Sequence, residues 1–461
     1  MNIRRISSVA RVGNIGIGGD NPIRIQSMTT TNTNDTEACV AQAMRIVQAG
    51  GELVRLTTQG TREAENMRNI SEALKARGIN VPLVADVHFN ANVADVAARY
   101  CEKVRINPGN YVDPARTFKQ LEYTNEEYQA ELRKIDERLV PFINICKEHH
   151  TAVRIGVNHG SLSDRIMSRY GDTPAGIVES CMEILRIFRR EQFNDVVISI
   201  KASNTVVMVQ SVRLLVERMN SENMHYPLHL GVTEAGEGED GRIKSAVGIG
   251  ALLTEGIGDT IRVSLSEEPE CEIPVARKLV NLIPECVALR EEALKSINND
   301  TITLTLDAPD METLQLKAAM AVGALLIDRK ATKLVICSPL LSPAESVALA
   351  DAILQAARIK FTKTEYISCP GCGRTLYNLQ QTIARIKEAT RQFVGLKIGI
   401  MGCIVNGPGE MADADFGYVG AGPGKVSLYR QKECVEKNIP EEEAVERLLQ
   451  LITSTLKEKE K

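Results

Sequence analysis

Short apolar runs rich in β-branched residues alternate with longer amphipathic stretches throughout the first 285 residues of the chain. Such alternation predicts strand–helix units around a parallel sheet, because parallel strands are joined by helical crossovers. Amphipathic helices are predicted between the strands, for example at 35–49 and 174–190. Eight strands are predicted, at 22–28, 53–58, 82–89, 103–108, 152–159, 195–202, 227–233 and 259–264. Because eight strands in about 250 residues are what a TIM barrel requires, we predict an α/β fold with a (β/α)8 barrel over residues 1–285.

Two glycine-rich stretches interrupt this pattern. Gly13 to Gly19 precede the first predicted strand, and a dinucleotide-binding loop is disfavoured there because no helix follows directly. We therefore predict a hairpin that plugs the bottom of the barrel. The second stretch, AGEGEDGRIKS after Glu234, is predicted to be a loop that serves as a mobile lid.

Cations stand among apolar neighbours on several predicted strands, whose carboxyl ends form the active-site face of such barrels. A single cation of this kind would simply pair with a nearby carboxylate. Several like charges that converge on one barrel mouth would instead repel each other and lose solvation, unless an anion compensates them. The strands supply few acids, so the pattern predicts an external polyanion, with phosphate or diphosphate the best match for arginine. The cations are Arg55, Arg105, Arg154, Lys201 and Arg262.

Polar residues also occur at the predicted strand ends, where the hydroxyls and carbons of a substrate would lie. Asp86 and Glu234 are candidates for proton transfer or for binding hydroxyl groups. His88 and His159 fit a catalytic role and a structural role equally well. Asn158 and Ser264 complete the set.

The middle segment, 286–362, predicts two βα units: a strand at 301–306, a helix at 311–326, a strand at 333–337 and a helix at 344–358. Two units cannot close a barrel, so another part of the protein or a partner chain must cover their strand edges. The segment carries no recognisable chemistry. Cys337 is expected to be a buried strand residue.

Cysteines in glycine-rich turns characterise residues 363–461, which are predicted to form an α/β domain. Cys369 and Cys372 form a CxxC in SCPGCGRT, and Cys403 and Glu410 follow in GCIVNGPGE. A CxxC alone also suits zinc or thiol redox chemistry. Three thiolates in loops whose N–H groups can face sulfur favour an iron–sulfur cluster. A zinc ribbon would need a second close CxxC or Cys434, which lies in a charged stretch away from these turns.

Composition narrows the classes of partner. The chain of 461 residues is 44% hydrophobic and 25% charged, with a net charge of −4, which gives no overall attraction to nucleic acid or an anionic membrane. It shows neither a signal peptide nor an apolar run near the ~20 residues that a membrane span needs. Eleven cysteines without a secretory signal indicate a reducing compartment, by default the cytoplasm.

Several motifs together resemble the 4-hydroxy-3-methylbut-2-enyl diphosphate synthase family of the non-mevalonate isoprenoid pathway. They are SCPGCGRT, GCIVNGPGE, VRLTTQG, ADVHFN, VRIGVNHGS and GVTEAGEG, and the match covers residues 1–285 and 363–461. The resemblance implies a TIM barrel joined to a cluster domain. It also implies reductive ring opening of 2-C-methyl-D-erythritol 2,4-cyclodiphosphate to (E)-4-hydroxy-3-methylbut-2-enyl diphosphate, with flavodoxin or ferredoxin as the electron donor.

The resemblance further implies roles for individual residues. Its [4Fe–4S] ligands correspond to Cys369, Cys372, Cys403 and the carboxylate of Glu410. Its diphosphate-binding set corresponds to Arg55, Arg105, Arg154, Lys201, Arg262 and Ser264, and its residues near the reacting carbons correspond to Asp86, Asn158 and Glu234.

The insert departs from both forms of that family. The short form has only a brief linker and works as a homodimer, with each cluster capping the partner's barrel. The long form inserts a whole extra barrel-like domain, and 286–362 resembles only its last part. We expect a homodimer here because the strand edges of the insert need covering. Two other classes remain open: a non-catalytic iron–sulfur carrier, against which the barrel cations argue, and a zinc-containing barrel transferase similar to the pterin-binding synthases.

Overall fold

The computed structural model describes residues 4–113, 121–404, 407–411 and 413–459, without the side chains of Pro408, Glu410 and Lys459. The described chain opens with an antiparallel hairpin of β1 (Ala10–Val12) and β2 (Ile15–Ile17). Its apolar side chains pack against the inward-facing first residues of the barrel strands, including Leu53 and Ala152. The predicted plug at the bottom of the barrel is therefore confirmed.

The barrel itself has the predicted eight parallel strands. β10 pairs with both β9 and β3, and a bridge from Ile198 to Leu228 brings β8 next to β9, so the sheet closes. β9 and β10 keep only two residues each, fewer than predicted, because the chain leaves the ladder there towards the cavity described below. The strands are β3 (Arg24–Met28), β4 (Leu53–Thr58), β5 (Leu83–Val87), β6 (Lys103–Ile106), β7 (Ala152–Asn158), β8 (Val196–Lys201), β9 (His229–Leu230) and β10 (Thr260–Ile261).

Helices surround the barrel, and side-chain caps fix where several of them begin. Asp35 accepts a hydrogen bond from the Ala38 N–H at the start of α1, and Thr173 caps α7, whose first residue is a proline. The helices are α1 (Thr36–Gln48), α2 (Thr61–Ala76), α3 (Ala91–Ala97), α4 (Pro108–Tyr111), α5 (Asn125–His149), α6 (Asp164–Tyr170), α7 (Pro174–Arg190), α8 (Thr205–Ser221), α9 (Gly238–Leu253), α10 (Glu272–Asn281) and α11 (Ile283–Lys295).

The predicted lid after Glu234 is wrong. α9 begins at Gly238, so only a short turn separates it from Glu234, and its residues from Ile243 to Leu253 are all buried. Glycine weakens an isolated helix by about 1 kcal/mol per residue, but burial on every side outweighs that preference here.

The insert forms the two predicted βα units. β11 (Thr301–Thr305) and β12 (Lys333–Cys337) make a two-stranded parallel sheet, with α12 (Met311–Ile327) and α13 (Pro343–Ala356) following them. The strands alternate between buried and exposed residues, which shows that only one face of this sheet is covered. Cys337 lies on the uncovered face and is exposed, so the prediction that it is buried was wrong. We call this uncovered face the open face of the insert, and its exposed residues are Thr303, Thr305, Lys333, Val335 and Cys337.

The C-terminal domain is a five-stranded sheet with helices packed on it. Its first three strands are parallel and the last two run antiparallel to their neighbours. Its elements are β13 (Glu365–Ser368), α14 (Leu379–Thr390), β14 (Lys397–Met401), α15 (Gly407–Glu410), β15 (Phe416–Gly422), β16 (Lys425–Arg430), β17 (Glu433–Pro440) and α16 (Glu441–Lys459). Among the residues described, no helix combines the length and the apolarity needed to span a bilayer.

Candidate functional site

The C-terminal domain covers the mouth of the barrel of the same chain, and the two enclose a cavity of about 100 Å³. Apart from His159, the barrel side of its wall contains every residue that was predicted from the sequence for substrate binding or catalysis. The opposite side contains the three cysteines of the predicted cluster. The side chain of Glu410 lies outside the described part of the chain. The lining residues named in advance are Arg55, Asp86, Arg105, Arg154, Asn158, Lys201, Glu234, Arg262, Ser264, Cys369, Cys372 and Cys403.

Backbone contacts hold the C-terminal domain in this position. Ala235 of the barrel pairs with Ser368 in an isolated parallel bridge, and the Ser266 hydroxyl donates to the Cys369 carbonyl at 3.0 Å. Gly409 packs so closely on the barrel that a Cβ there would lie 1.9 Å from the Gly160 carbonyl oxygen. In this structure the C-terminal domain therefore caps the barrel of its own chain.

Asp86 is a meeting point for basic side chains. Arg105 Nη1 lies 3.2 Å from Asp86 Oδ1, and Arg55 Nε lies 3.8 Å from Oδ2. Burial alone would raise the pKa of Asp86, but Arg55, Arg105 and His88 hold it well below its ordinary value. Asp86 is therefore an anion at neutral pH, suited to accept hydrogen bonds rather than to donate a proton.

His88 is a neutral imidazole in this environment. Burial, followed by the charges of Arg105 and Arg374, lowers the pKa of His88 to about 3 although Asp86 opposes the shift. Arg105 Nη1 lies 2.6 Å from His88 Nε2 and donates to it, which favours a role in orienting Arg105. His159 pairs with Asp172 at 2.6 Å and does not line the cavity, so its structural role is favoured.

Two of the five cations predicted from the sequence have no carboxylate within ion-pair distance in the described part of the chain: Arg154 and Lys201. Arg154 is 1% exposed, and its Nε and Nη1 have no hydrogen-bond partner among the described atoms. Burial and repulsion from neighbouring arginines lower the pKa of both groups well below their ordinary values. The same causes lower the pKa of Arg55 to about 10. These shifts indicate charges that an anion in the cavity would stabilise.

Arg262 differs from the other cations because it has its own carboxylate. Glu272 of α10 accepts from Arg262 Nε and Nη2, both at 2.9 Å, in a pair that is almost fully buried. Burial would lower the pKa of Arg262, but Glu272 raises it above its ordinary value. The sequence analysis missed Glu272, since nothing in its local sequence indicates that α10 returns to the end of β10.

Lys103 is a further buried cation that the sequence analysis missed. It precedes Arg105 by two positions on β6, so both side chains face the barrel interior. Its Nζ has no hydrogen-bond partner among the described atoms, and burial lowers its pKa well below the ordinary value, as do Arg154 and Arg55. Strand alternation would have identified it.

Glycines make room for two of the cations. A Cβ at Gly156 would lie 2.5 Å from Arg105 Nε, and a Cβ at Gly231 would lie 2.7 Å from Lys201 Nζ. The glycines in the motifs VRIGVN and LGVTE thus leave space for the long side chains of Arg105 and Lys201, which pass over them. Beyond Gly231 the chain turns through Glu234, whose φ of 48° is left-handed and whose side chain is buried.

The three cysteines come from two loops that share one wall of the cavity. Gly402 N–H donates to Cys369 Sγ at 3.2 Å, and Gly371 between Cys369 and Cys372 has a φ of 80°. Among the described residues, no three His, Cys, Asp or Glu side chains stand as a preformed metal site. Three thiols beside an inward-facing N–H are nevertheless the donor set that suits a sulfide-rich cluster.

Two family models match the chain in succession. The first, described as the GcpE TIM-barrel domain, covers residues 7–277, and the second, described as the GcpE protein C-terminal domain, covers residues 365–454. Neither covers 278–364, the stretch that contains most of the insert.

Curated proteins with the name 4-hydroxy-3-methylbut-2-en-1-yl diphosphate synthase (flavodoxin) are similar over nearly the whole chain. The protein of Bacteroides fragilis strain ATCC 25285 is 53% identical over 97% of this chain and 95% of its own length. The protein of Porphyromonas gingivalis strain W83 is 45% identical over 97% of this chain and 97% of its own length. The protein of Akkermansia muciniphila is 42% identical over 97% of this chain and 96% of its own length. The B. fragilis alignment has 597 positions against 461 residues in this chain, so at least 136 positions have no residue here.

Proposed function

Because the chain belongs to the GcpE family, we propose that it reductively opens 2-C-methyl-D-erythritol 2,4-cyclodiphosphate to (E)-4-hydroxy-3-methylbut-2-enyl diphosphate, a step of isoprenoid biosynthesis. The observation that supports this most is the cavity itself. One wall carries buried cations, of which Arg154 and Lys201 lack a carboxylate within the described chain, and the facing wall carries three thiols. A polyanion held by the first wall would present its carbons to the second.

We assign binding of the diphosphate to the barrel cations and Ser264. Binding energy from the phosphates is remote from the carbons that react, so it can hold the substrate in the reactive orientation. Asp86, an anion at neutral pH, would accept a hydrogen bond from a substrate hydroxyl. Glu234 would supply the proton to the hydroxyl oxygen that leaves as water, and Asn158, which accepts from Arg105 Nη2 at 3.4 Å, would help to orient the same region.

We propose that Cys369, Cys372, Cys403 and Glu410 hold a [4Fe–4S] cluster. When bound, the cluster supplies two electrons one at a time, which it receives from flavodoxin or ferredoxin. The relatives' name specifies flavodoxin. An anaerobic absorption spectrum with iron and sulfide analysis tests the cofactor directly. A broad visible band that dithionite bleaches is expected, and a colourless protein with stoichiometric zinc would contradict both the cluster and the reaction.

Replacement of Glu410 separates a catalytic cluster from an electron relay. A carboxylate is a poorly matched ligand for iron surrounded by sulfide, so Glu410 would hold its iron less firmly than a thiolate would. Glu410→Cys should retain the cluster, measured by iron content and absorbance, and lose most of the activity. Cys403→Ser is the comparison and should lose much of the cluster as well. Turnover of Glu410→Cys at the wild-type rate would show that the reaction does not need a carboxylate at this position.

We further propose a cytoplasmic homodimer. All eleven cysteines are free, as expected in a reducing compartment. The open face of the insert exposes Val335 at 46%, and a second copy of the chain would cover it. Since the C-terminal domain already covers its own barrel, the dimer is not needed to complete the cavity. Sedimentation of the active enzyme as a monomer would refute this assembly.

A further inference from the structure

One cation in the cavity comes from the C-terminal domain and not from the barrel. Arg374 lies two residues after Cys372, in the loop between β13 and α14, and its side chain is 7% exposed. It lines the same cavity as the barrel arginines. Its Nη2 lies 3.8 Å from Asp86 Oδ2, and its Nε and Nη1 have no hydrogen-bond partner in the described part of the chain.

Other basic residues at this interface between barrel and C-terminal domain are paired directly. Lys387 Nζ lies 2.9 Å from Glu237 Oε1, and Lys244 Nζ lies 3.1 Å from Glu365 Oε1. Among the described residues Arg374 has no carboxylate this close, because Asp86, 3.8 Å away, is already engaged by Arg105 at 3.2 Å; the Cys372 thiol also interacts with the guanidinium. A purely structural interface arginine would not be expected to bury two unsatisfied N–H groups, since each costs free energy.

An anion in the cavity would satisfy these N–H groups. A guanidinium binds phosphate or carboxylate oxygens through charge-assisted hydrogen bonds, often two at once. We propose that Arg374 is a substrate-binding residue that the C-terminal domain contributes, donating its Nε–H and Nη1–H to an anionic oxygen of the ligand in the barrel. The identity of that ligand as the cyclic diphosphate rests on the proposed function, whereas its negative charge rests on the cavity.

This assignment links ligand binding to the seating of the C-terminal domain. A ligand that contacts the barrel cations and Arg374 together bridges the barrel and the C-terminal domain. It stabilises their contact by the difference between its binding free energies to the protein with the two in contact and with the two apart. Backbone amides at the contact, such as those near the bridge between Ala235 and Ser368, should then exchange more slowly when ligand is bound.

The test compares Arg374→Gln and Arg374→Lys with Lys387→Gln, a change at the same interface but outside the cavity. Binding of the cyclic diphosphate and of inorganic diphosphate to the cluster-loaded, unreduced protein is measured by anaerobic calorimetry, together with iron content and amide exchange. Arg374→Gln should weaken binding about 10- to 100-fold, the loss expected for one or two charge-assisted hydrogen bonds. It should also abolish the protection of the contact by ligand, and Arg374→Lys should recover part of both effects. Lys387→Gln should change affinity less than about twofold, because it removes only a partly exposed ion pair.

Each outcome decides the matter. Wild-type affinity and wild-type protection in both Arg374 variants would overturn the proposal and leave Arg374 as an interface contact. If Arg374→Gln fails to fold, Arg374→Lys alone carries the comparison, and its unaltered affinity would have the same meaning. Binding of inorganic diphosphate that depends on Arg374, without binding of the cyclic diphosphate, would reject the proposed function and keep this inference. A wild-type protein that binds neither ligand would reject both.

Discussion

Replacing Arg262 with methionine should destabilise the barrel, whereas the same change at Arg55 should not. Arg262 forms a two-point ion pair with Glu272, and Glu272 is 1% exposed. Removing one partner of a buried pair costs about 3–5 kcal/mol, because the remaining charge is left uncompensated. Glu272 also accepts from the Ser27 hydroxyl at 2.7 Å and from the Leu265 N–H at 3.2 Å, so the lower end of that range, about 3 kcal/mol, is expected.

Arg55 is in the opposite situation. Its Nε and Nη2 contact the Met28 sulfur at 3.1 and 2.9 Å, a weak acceptor, and its distance to Asp86 is 3.8 Å. Arg105 would remain beside Asp86 after the replacement, and the burial of a charge and the repulsion from other arginines, which together lower the pKa of Arg55, would both be relieved. We expect a change in stability within about 1 kcal/mol. Both variants should bind the cyclic diphosphate about 10- to 100-fold more weakly, since each loses a charge-assisted contact.

The assay is thermal and guanidinium-induced unfolding of the two variants beside calorimetric titration with substrate. Arg262→Met combined with Glu272→Met provides the control, because replacing both charges of a buried pair by apolar groups restores stability. Equal unfolding midpoints for Arg55→Met and Arg262→Met would refute the reasoning. So would a double variant that is no more stable than Arg262→Met.

Two further changes test the interior of the barrel and the contact between the barrel and the C-terminal domain. Lys103→Met should raise stability by about 1–3 kcal/mol at neutral pH, because it removes a buried amine without a partner. Burial lowers the pKa of Lys103, so the unfolded chain binds the extra proton below about pH 10.4; the gain should shrink as the pH rises towards that value, and exposed Lys75→Met should show no gain. Gly409→Ala should lower activity and speed amide exchange at the contact without unfolding the barrel, because its Cβ would meet the Gly160 carbonyl. Gly422→Ala, which has open space around it, is the control, and equal behaviour of the two glycine variants would contradict the packing argument.

Most of the residues that were predicted correctly were identified from the period-two pattern of the strands. Side chains two positions apart on a strand face the same side of the sheet. A cation on a barrel strand therefore faces the same way as the residues two positions before and after it. That rule placed Arg105 and Arg154 correctly in the cavity. The same rule identifies Lys103, two positions before Arg105, and applying it to every basic residue on a strand would have revealed the most buried amine of the barrel.

Contacts between distant elements could not be predicted in the same way. Glu272 reaches Arg262 because α10 folds back over the end of β10, and Arg374 enters the cavity because the C-terminal domain sits on its own barrel. Neither fact leaves a local signal in the sequence. The predicted lid failed for a related reason: the glycines of α9 indicate a loop in isolation, but the helix is enclosed by its neighbours.

The packing of α9 shows what the insert contributes to the barrel. From Ile243 to Leu253 this helix has no exposed side chain, so something must cover its outer side. α12 of the insert does so at close range: a Cβ on Gly323 would lie 2.8 Å from the Val247 carbonyl oxygen, and one on Gly250 would lie 2.5 Å from Met320. The relatives' alignment contains at least 136 positions that this chain lacks, and α12 of the insert nevertheless covers this side of the barrel. On the open face of the insert, by contrast, the two strands have no covering layer in the described chain.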